Sequence, residues 1–417
     1  MKKVFCAVKC ALALCLCLAL LAGTACAEDM HFLSTGGRDS LEFACALPDG
    51  RTVLTGSKLV EPGEYTGAWV LCLNPDRTVS WEAVEGEKGG WFSAREAVLL
   101  TDGTLAVVFD HYINGQDVAA VKIYTQDGQP TGKEFEIPGG YISMGATASW
   151  LMIRRWGEEH EPDETLLVDW DGKELLRYDG SGIPGAYGWP VGNTDELVLT
   201  GCDNWENSHA KIIKLDGQTG KALWETTLDR QLPDTTEADL WFGVQTEDGG
   251  YATLLNESGP GTGTSSYEWD RFLVKFDAEG RMQWINGESF ERHSLYAYDV
   301  FSWNGKIGVV GRPKQGDGRE GFPSLVFCWF DAEGKELGIT EVNLDLEDFP
   351  TVRDCLNREP DEMNPAPMSW VEAVIPAADG LWALAGCCVN TTDSEGIGTL
   401  ALGSNEYVLV RIPEPGE

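Results

Sequence analysis

Apolar runs rich in Val, Ile, Leu, Phe and Trp alternate along this chain with tight turns built on Asp and Gly. The clearest unit is Ala210-Lys-Ile-Ile-Lys-Leu-Asp-Gly-Gln-Thr-Gly-Lys-Ala-Leu-Trp224, which returns as Phe272-Leu-Val-Lys-Phe-Asp-Ala-Glu-Gly-Arg-Met-Gln-Trp284. A shorter strand opened by a turn precedes each copy, as in Glu247-Asp-Gly-Gly-Tyr-Ala-Thr-Leu-Leu255. No long stretch of helical periodicity competes, so the segments read as strands joined by register-fixing hairpins. A strand–turn–strand unit repeated at a regular interval marks a radial β-array.

Counting follows the strand after the Asp-Gly-type turn. It occurs at Asp49–Gly56, Asp102–Val108, Asp195–Gly201, Asp248–Leu254, Asn304–Gly311 and Asp379–Gly386, with a turnless copy at Ala148–Arg154. The strand that follows each of these gives the same number: Ala68–Leu73, Ala119–Tyr124, Thr165–Asp169, Lys211–Leu215, Phe272–Phe276, Ser324–Phe330 and Tyr407–Ile412. The expectation is an all-β, seven-bladed β-propeller. The last copy runs out at Pro413–Glu417 without an outer strand, whereas Met30–Ser34 parallels the outer strand at Met282. The N-terminal strand is therefore expected to close the last blade and cover its edge.

The turn Asp216-Gly-Gln-Thr-Gly-Lys-Ala-Leu-Trp224 resembles the tryptophan-docking repeat of quinoprotein-type (PQQ-like) β-propellers, with Asp127–Phe135 a weaker copy. The Asp277-Ala-Glu-Gly and Asp331-Ala-Glu-Gly turns resemble related repeats of exported bacterial propellers. The resemblance implies the fold: Trp packs between neighbouring blades and Gly permits the tight turn. It does not carry over quinone binding.

Residues 1–27 read as a signal peptide and residues 28–417 as one propeller domain. Lys2 and Lys3 precede the 13-residue apolar stretch Cys10–Ala22, and Ala25-Cys26-Ala27 suits cleavage after Ala27. That stretch is too short to span a bilayer. The expectation is a protein secreted or held in the cell envelope. Lipidation through Cys26 is the rival, disfavoured because Gly23-Thr24-Ala25 lacks the usual upstream aliphatic residue.

The net charge is −36, and it becomes −39 once the three leader lysines leave. Such a surface repels nucleic acid and anionic lipid. Seven cysteines follow residue 27, an odd and thinly spread set that builds neither a disulfide framework nor a zinc site. Adjacent Cys387 and Cys388 read as strand packing rather than a redox pair, since neighbouring strand side chains face opposite ways.

Function is less legible. No nucleophile elbow, zinc-protease pair or phosphate loop occurs, and the five histidines (His31, His111, His160, His209, His293) form no metal-ligand spacing. In an up-and-down repeat, the long segments Cys202–His209, Asn256–Asp270, Arg312–Pro323, Ile339–Met368 and Val389–Asn405 all emerge on one face. Binding residues favour such loops. Trp205, Glu206, His209, Tyr267, Trp269, Asp270 and Arg312 are the candidates, because aromatics beside carboxylates suit sugars or peptides. The acidic insertion Ile339–Met368 is expected to fold as a capping loop with a short helix near Val352–Asn357. The reading is a non-catalytic, monomeric binding scaffold for a peptide, a glycan or a surface protein, without nucleic-acid or transmembrane partners. The alternatives are an enzyme, quinone-dependent or polysaccharide-active, and an envelope assembly factor. No cofactor or metal is assigned; calcium and pyrroloquinoline quinone are the ones to test.

Overall fold

A computed structural model describes residues 30–37, 39–61, 65–86, 90–113, 116–155, 164–179, 187–190, 196–202, 209–217, 219–229, 231, 235, 237–258, 270–313, 324–356, 366–392, 398–400 and 405–415. The leader and its cleavage site lie outside these residues. Among the described residues, no helix is long and apolar enough to cross a membrane.

The chain is an all-β propeller. Antiparallel runs of four strands follow one another, each strand pairing with the next in sequence. The first strands of successive runs pack side by side: Ser40–Ala46 touches Trp91–Leu99 and Ala366–Ala377, and Glu237–Gln245 touches Leu295–Trp303. A bond from the Val371 amide to the Tyr298 hydroxyl (2.8 Å) bridges the last two runs, so the inner strands make a closed circle.

The blade count differs from the expected seven separate sheets. Five sheets stand as discrete blades: 141–179, 187–227, 237–286, 295–342, and a closing sheet built on Ala366–Ala377, Gly380–Thr392 and Asn405–Ile412. The strands from Ser40 to Pro138 instead form one eight-stranded sheet. The physical reason is a single parallel bridge between Thr66 and Trp91, which merges two antiparallel runs of four.

The expected clasp is present. Met30–Gly37 is the edge strand of the closing sheet, with Met30 opposite Val410 and Leu33 opposite Tyr407. Leu33, Leu409 and Tyr407 then bury against Leu41, Leu54 and Trp69 of the first strands in sequence, which seals the ring. Across the opposite, short-turn face, Arg77 holds Asp379 at 3.0 Å and lies over the Trp382 ring at 4.5 Å.

Between runs, the outer-strand aromatic of one packs on the turn glycine of the next. Trp81, Trp224 and Trp284 donate their indole N–H to the carbonyls of Gln126 (2.9 Å), Ala278 (3.1 Å) and Ala332 (2.9 Å). Each ring covers a glycine two residues further on, Gly128, Gly280 or Gly334, with no room for a Cβ. Asp277 and Asp331 serve these turns, each accepting backbone N–H groups through one carboxylate oxygen.

The acidic insertion behaves differently from a capping loop. Its described part holds a 3-10 turn, Leu346–Asp348, and a helix, Pro350–Leu356. Phe349, Val352 and Cys355 bury beside Phe327, Trp329 and Val408, and Phe349 meets Phe32 of the clasp edge-on at 5.3 Å. This segment completes the core between the last two runs. Cys387 and Cys388 are buried within one strand and form no disulfide with each other.

Candidate binding site

Of the residues singled out from sequence, Trp205, Glu206, Tyr267 and Trp269 lie outside the described residues. His209 is half-buried just before the strand Ala210–Leu215. Asp270 and Arg312 come from different sheets: Asp270 shares a cleft lining with Tyr296, and Arg312 lies over the Tyr296 ring. Asp270 opens its strand and lines a cleft of about 330 Å³ that also holds Arg271, Phe272, Glu291 and Tyr296. The Arg312 guanidinium lies 4.9 Å from the Tyr296 centroid. His209 belongs to the preceding sheet and is not among the residues of that cleft.

Arg271 fills the inner wall of this cleft. Its guanidinium stacks between Tyr296 (3.9 Å) and Trp241 (5.0 Å), donates to the Tyr296 hydroxyl at 2.5 Å and reaches the Ala297 carbonyl. Burial pulls its pKa down, and Tyr296 and Asp239 oppose that shift. The group ties two sheets together through cation–π and hydrogen-bond contacts.

A second arrangement at the long-loop face was missed from sequence. Trp91 begins an inner strand and Tyr112 nearly ends its partner; the two are directly opposed in the antiparallel register. Opposed residues share one side of a sheet with Cβ atoms about 4.5–5.5 Å apart. Both rings reach solvent, Trp91 at 40% exposure and Tyr112 at 49%. The intervening rung points the other way: Phe92 and His111 stack at 4.6 Å, buried between runs. Burial pushes His111 down to about 4, so it is neutral at neutral pH.

Below the aromatic pair, the next rung on the same side is Ser93 opposite Asp110. Beneath it a bulge leaves Arg95 unpaired in the ladder, since Ala94 faces Phe109 and Glu96 faces Val108. The freed Arg95 donates to Asp110 at 2.8 Å, pairs with Glu42 of the preceding run, and approaches the Trp91 ring at 5.8 Å. Ser93 donates to the other Glu42 oxygen at 3.3 Å. An exposed aromatic pair thus stands over a column of linked charged groups. The sequence signal was an aromatic one residue before the Ile113-Asn-Gly115 hairpin, a tight turn rather than a long loop.

Glu42 and Glu372 occupy the matching bulge positions of their own inner strands. Burial raises Glu372 to about 7, against the pull of its bond from the Trp370 indole and with help from Glu42. Asp299, one residue past the bulge at Tyr298, is raised to about 7 by burial, although the Val300 amide donates to it at 2.7 Å. Both residues are half-buried.

The shift of Glu372 sets a sign for pH dependence. The folded chain holds this proton up to about pH 7, whereas an unfolded Glu releases it near 4.5. The group's stabilising contribution is complete below that lower value and is lost as pH rises through 7. Glu372→Gln should match the parent at pH 5 and exceed it by about 2 kcal/mol at pH 8, allowing for solvent screening. Urea denaturation of both proteins at the two pH values measures this, and a pH-independent difference would refute it.

Among the described residues, no group of three or more His, Cys, Asp or Glu has the arrangement to hold a metal ion. No family model matches the chain, and no curated protein does. Solved structures match in fold at low identity. One is the β-propeller domain of the Trilobed protease from Pyrococcus furiosus, 11% identical over 88% of this chain and 96% of that one, with a TM-score of 0.48. Another is the Pyrococcus horikoshii acylaminoacyl peptidase, 11% identical over 88% of this chain and 53% of the peptidase, with a TM-score of 0.46. A third is the quinohemoprotein alcohol dehydrogenase from Comamonas testosteroni, 11% identical over 94% of this chain and 78% of that one, with a TM-score of 0.42. The chain is similar to these proteins in its propeller architecture.

Proposed function

We propose that this chain is an exported, non-catalytic propeller that binds a peptide, a glycan or a surface protein through its long-loop face. The observation that carries the reading is the solvent-facing Trp91–Tyr112 pair at the mouth of the Ser93–Asp110–Arg95–Glu42 column. Two adjacent rings exposed on a rigid strand pair are an unusual cost in a monomer unless something covers them. The polar groups beneath supply hydrogen-bond donors and acceptors in fixed positions, the usual composition of a recognition site.

The eight-stranded sheet functions as two blades, so that seven repeats surround the axis. The support is a buried apolar cluster inside that sheet, with Val70 and Cys72 of one half against Phe92 and Val107 of the other, like the clusters between discrete blades. The Trp–Gly docking at Gly128, Gly280 and Gly334 supports kinship with quinoprotein-type repeats without implying their cofactor.

Differential scanning fluorimetry tests the function. The chain from residue 28, the expected mature form, is screened against short peptides, oligosaccharides, calcium and pyrroloquinoline quinone. Stabilisation of several degrees by a peptide or oligosaccharide, absent in Trp91→Ala, is expected. Quinone-dependent stabilisation accompanied by substrate turnover would instead establish an enzyme.

A further inference from the structure

We infer that the Trp91–Tyr112 platform binds neutral pyranose units of a polysaccharide, with Arg95 reading a hydroxyl group of the unit seated on Trp91. The inference rests on the long-loop face being the binding face and names its ligand class.

Three observations carry it. First, Trp91 and Tyr112 are opposed on one side of the strand pair and are 40% and 49% exposed, which presents an apolar strip to solvent. A pyranose ring has an apolar C–H face and a hydroxyl rim, so it stacks on such a strip while its edge stays free for hydrogen bonds. Second, that edge meets a fixed partner. The Arg95 side chain, 39% exposed, lies 5.8 Å from the Trp91 ring and is locked on one side by Asp110 and on the other by Glu42. A guanidinium held by two carboxylates is preorganised: it offers remaining N–H donors without losing rotamer freedom on binding.

Third, the charge selects against the competing classes. Two carboxylates stand around one guanidinium, on a chain of net charge −36, so a polyuronate or sulfated glycan meets repulsion. An extended peptide would dock by adding a strand to an open sheet edge. The inner strand Trp91–Leu99 is bulged at Arg95, which breaks the ladder such a peptide would need.

Affinity electrophoresis of the full mature chain tests this, using gels that contain a soluble glucan, a galactomannan or glycol chitin, with polygalacturonate as the charged control. Retardation by at least one neutral polymer and none by polygalacturonate is expected. With hexasaccharides of the retarding polymer, calorimetry should show at least a tenfold loss of affinity for Trp91→Ala and for Tyr112→Ala, and a smaller loss for Trp91→Phe. Tyr112, the more exposed of the two, keeps the test decisive if Trp91→Ala does not fold. Retardation by polygalacturonate alone, no retardation by any neutral polymer, or affinity unchanged in both alanine variants would each overturn the inference. Stabilisation by a peptide that Trp91→Ala abolishes, with no response to sugars, would remove the carbohydrate while leaving the face as the binding surface.

Discussion

Removing residues 28–38 lowers the melting temperature by about 6 °C and exposes the chain to aggregation. Among the described residues, Met30–Gly37 is the strand that covers the edge of Asn405–Ile412, with Met30–Leu33 in register against Val410–Tyr407. Its loss forfeits several ladder hydrogen bonds at about 1 kcal/mol each. Leu33, buried against Leu41 and Trp69, adds about 2 kcal/mol, and the edge contact of Phe32 with Phe349 disappears too. A total near 5 kcal/mol corresponds to roughly that shift in a domain of this size. The freed edge is a template for intermolecular pairing. Calorimetry of the truncated and intact mature chains reads the shift, and an unchanged melt would mean that the strand does not hold the ring shut.

Gly280→Ala should destabilise by about 3 kcal/mol, far more than the same change at Gly249. Both glycines are left-handed, at φ +79° and +82°. That conformation alone costs an alanine about 1–2 kcal/mol. Only at Gly280 would the new Cβ meet a neighbour, the Trp224 ring at 2.4 Å; at Gly249 nothing lies within 4 Å. Trp224 cannot withdraw freely, because its indole donates to the Ala278 carbonyl at 3.1 Å. The excess over Gly249→Ala therefore measures the docking of one run on the next. Urea titrations of both variants give it directly, and equal losses would show that Trp224 contributes no packing at this turn. In a Trp224→Ala background the Gly280→Ala penalty should fall to the backbone value, since contacting residues are not additive.

The strands and turns were legible because each rests on local chemistry. Asp277 sits where one carboxylate oxygen can accept from two backbone amides of its own turn, at Glu279 and Arg281. Trp224 and Trp284 follow their own turns at nearly the same spacing, eight and seven residues after Asp216 and Asp277, and the resemblance to quinoprotein-type repeats implied their packing between blades. The clasp was legible for a related reason: a terminal copy lacking its outer strand leaves an edge that some other segment must cover. The short helix at Pro350–Leu356 was expected two residues later, and its burial beside Trp329 was not expected at all. Whether an acidic insertion folds outward as a cap or inward as core depends on a few apolar residues, here Phe349, Val352 and Cys355, finding a gap.

The binding surface was read less well. Long polar loops drew attention to Trp205 and Tyr267, while Trp91 and Tyr112 looked like ordinary strand aromatics. Their pairing depends on cross-strand register, and their exposure depends on which side of the sheet faces solvent.

By itself, then, the sequence determined the all-β repeat, the turn chemistry and the N-terminal closure, since these follow from residue identities and spacing within one unit or its neighbour. Only the tertiary structure decided that Trp224 and Trp284 seat on the turn glycines of the next run, that Thr66 and Trp91 fuse two runs into one sheet, that bulges free Glu42, Arg95 and Glu372 from their ladders, and that Arg312 reaches Tyr296. Those outcomes arise where separate units touch. There, burial and register act between residues far apart in the chain, and no local pattern encodes the result.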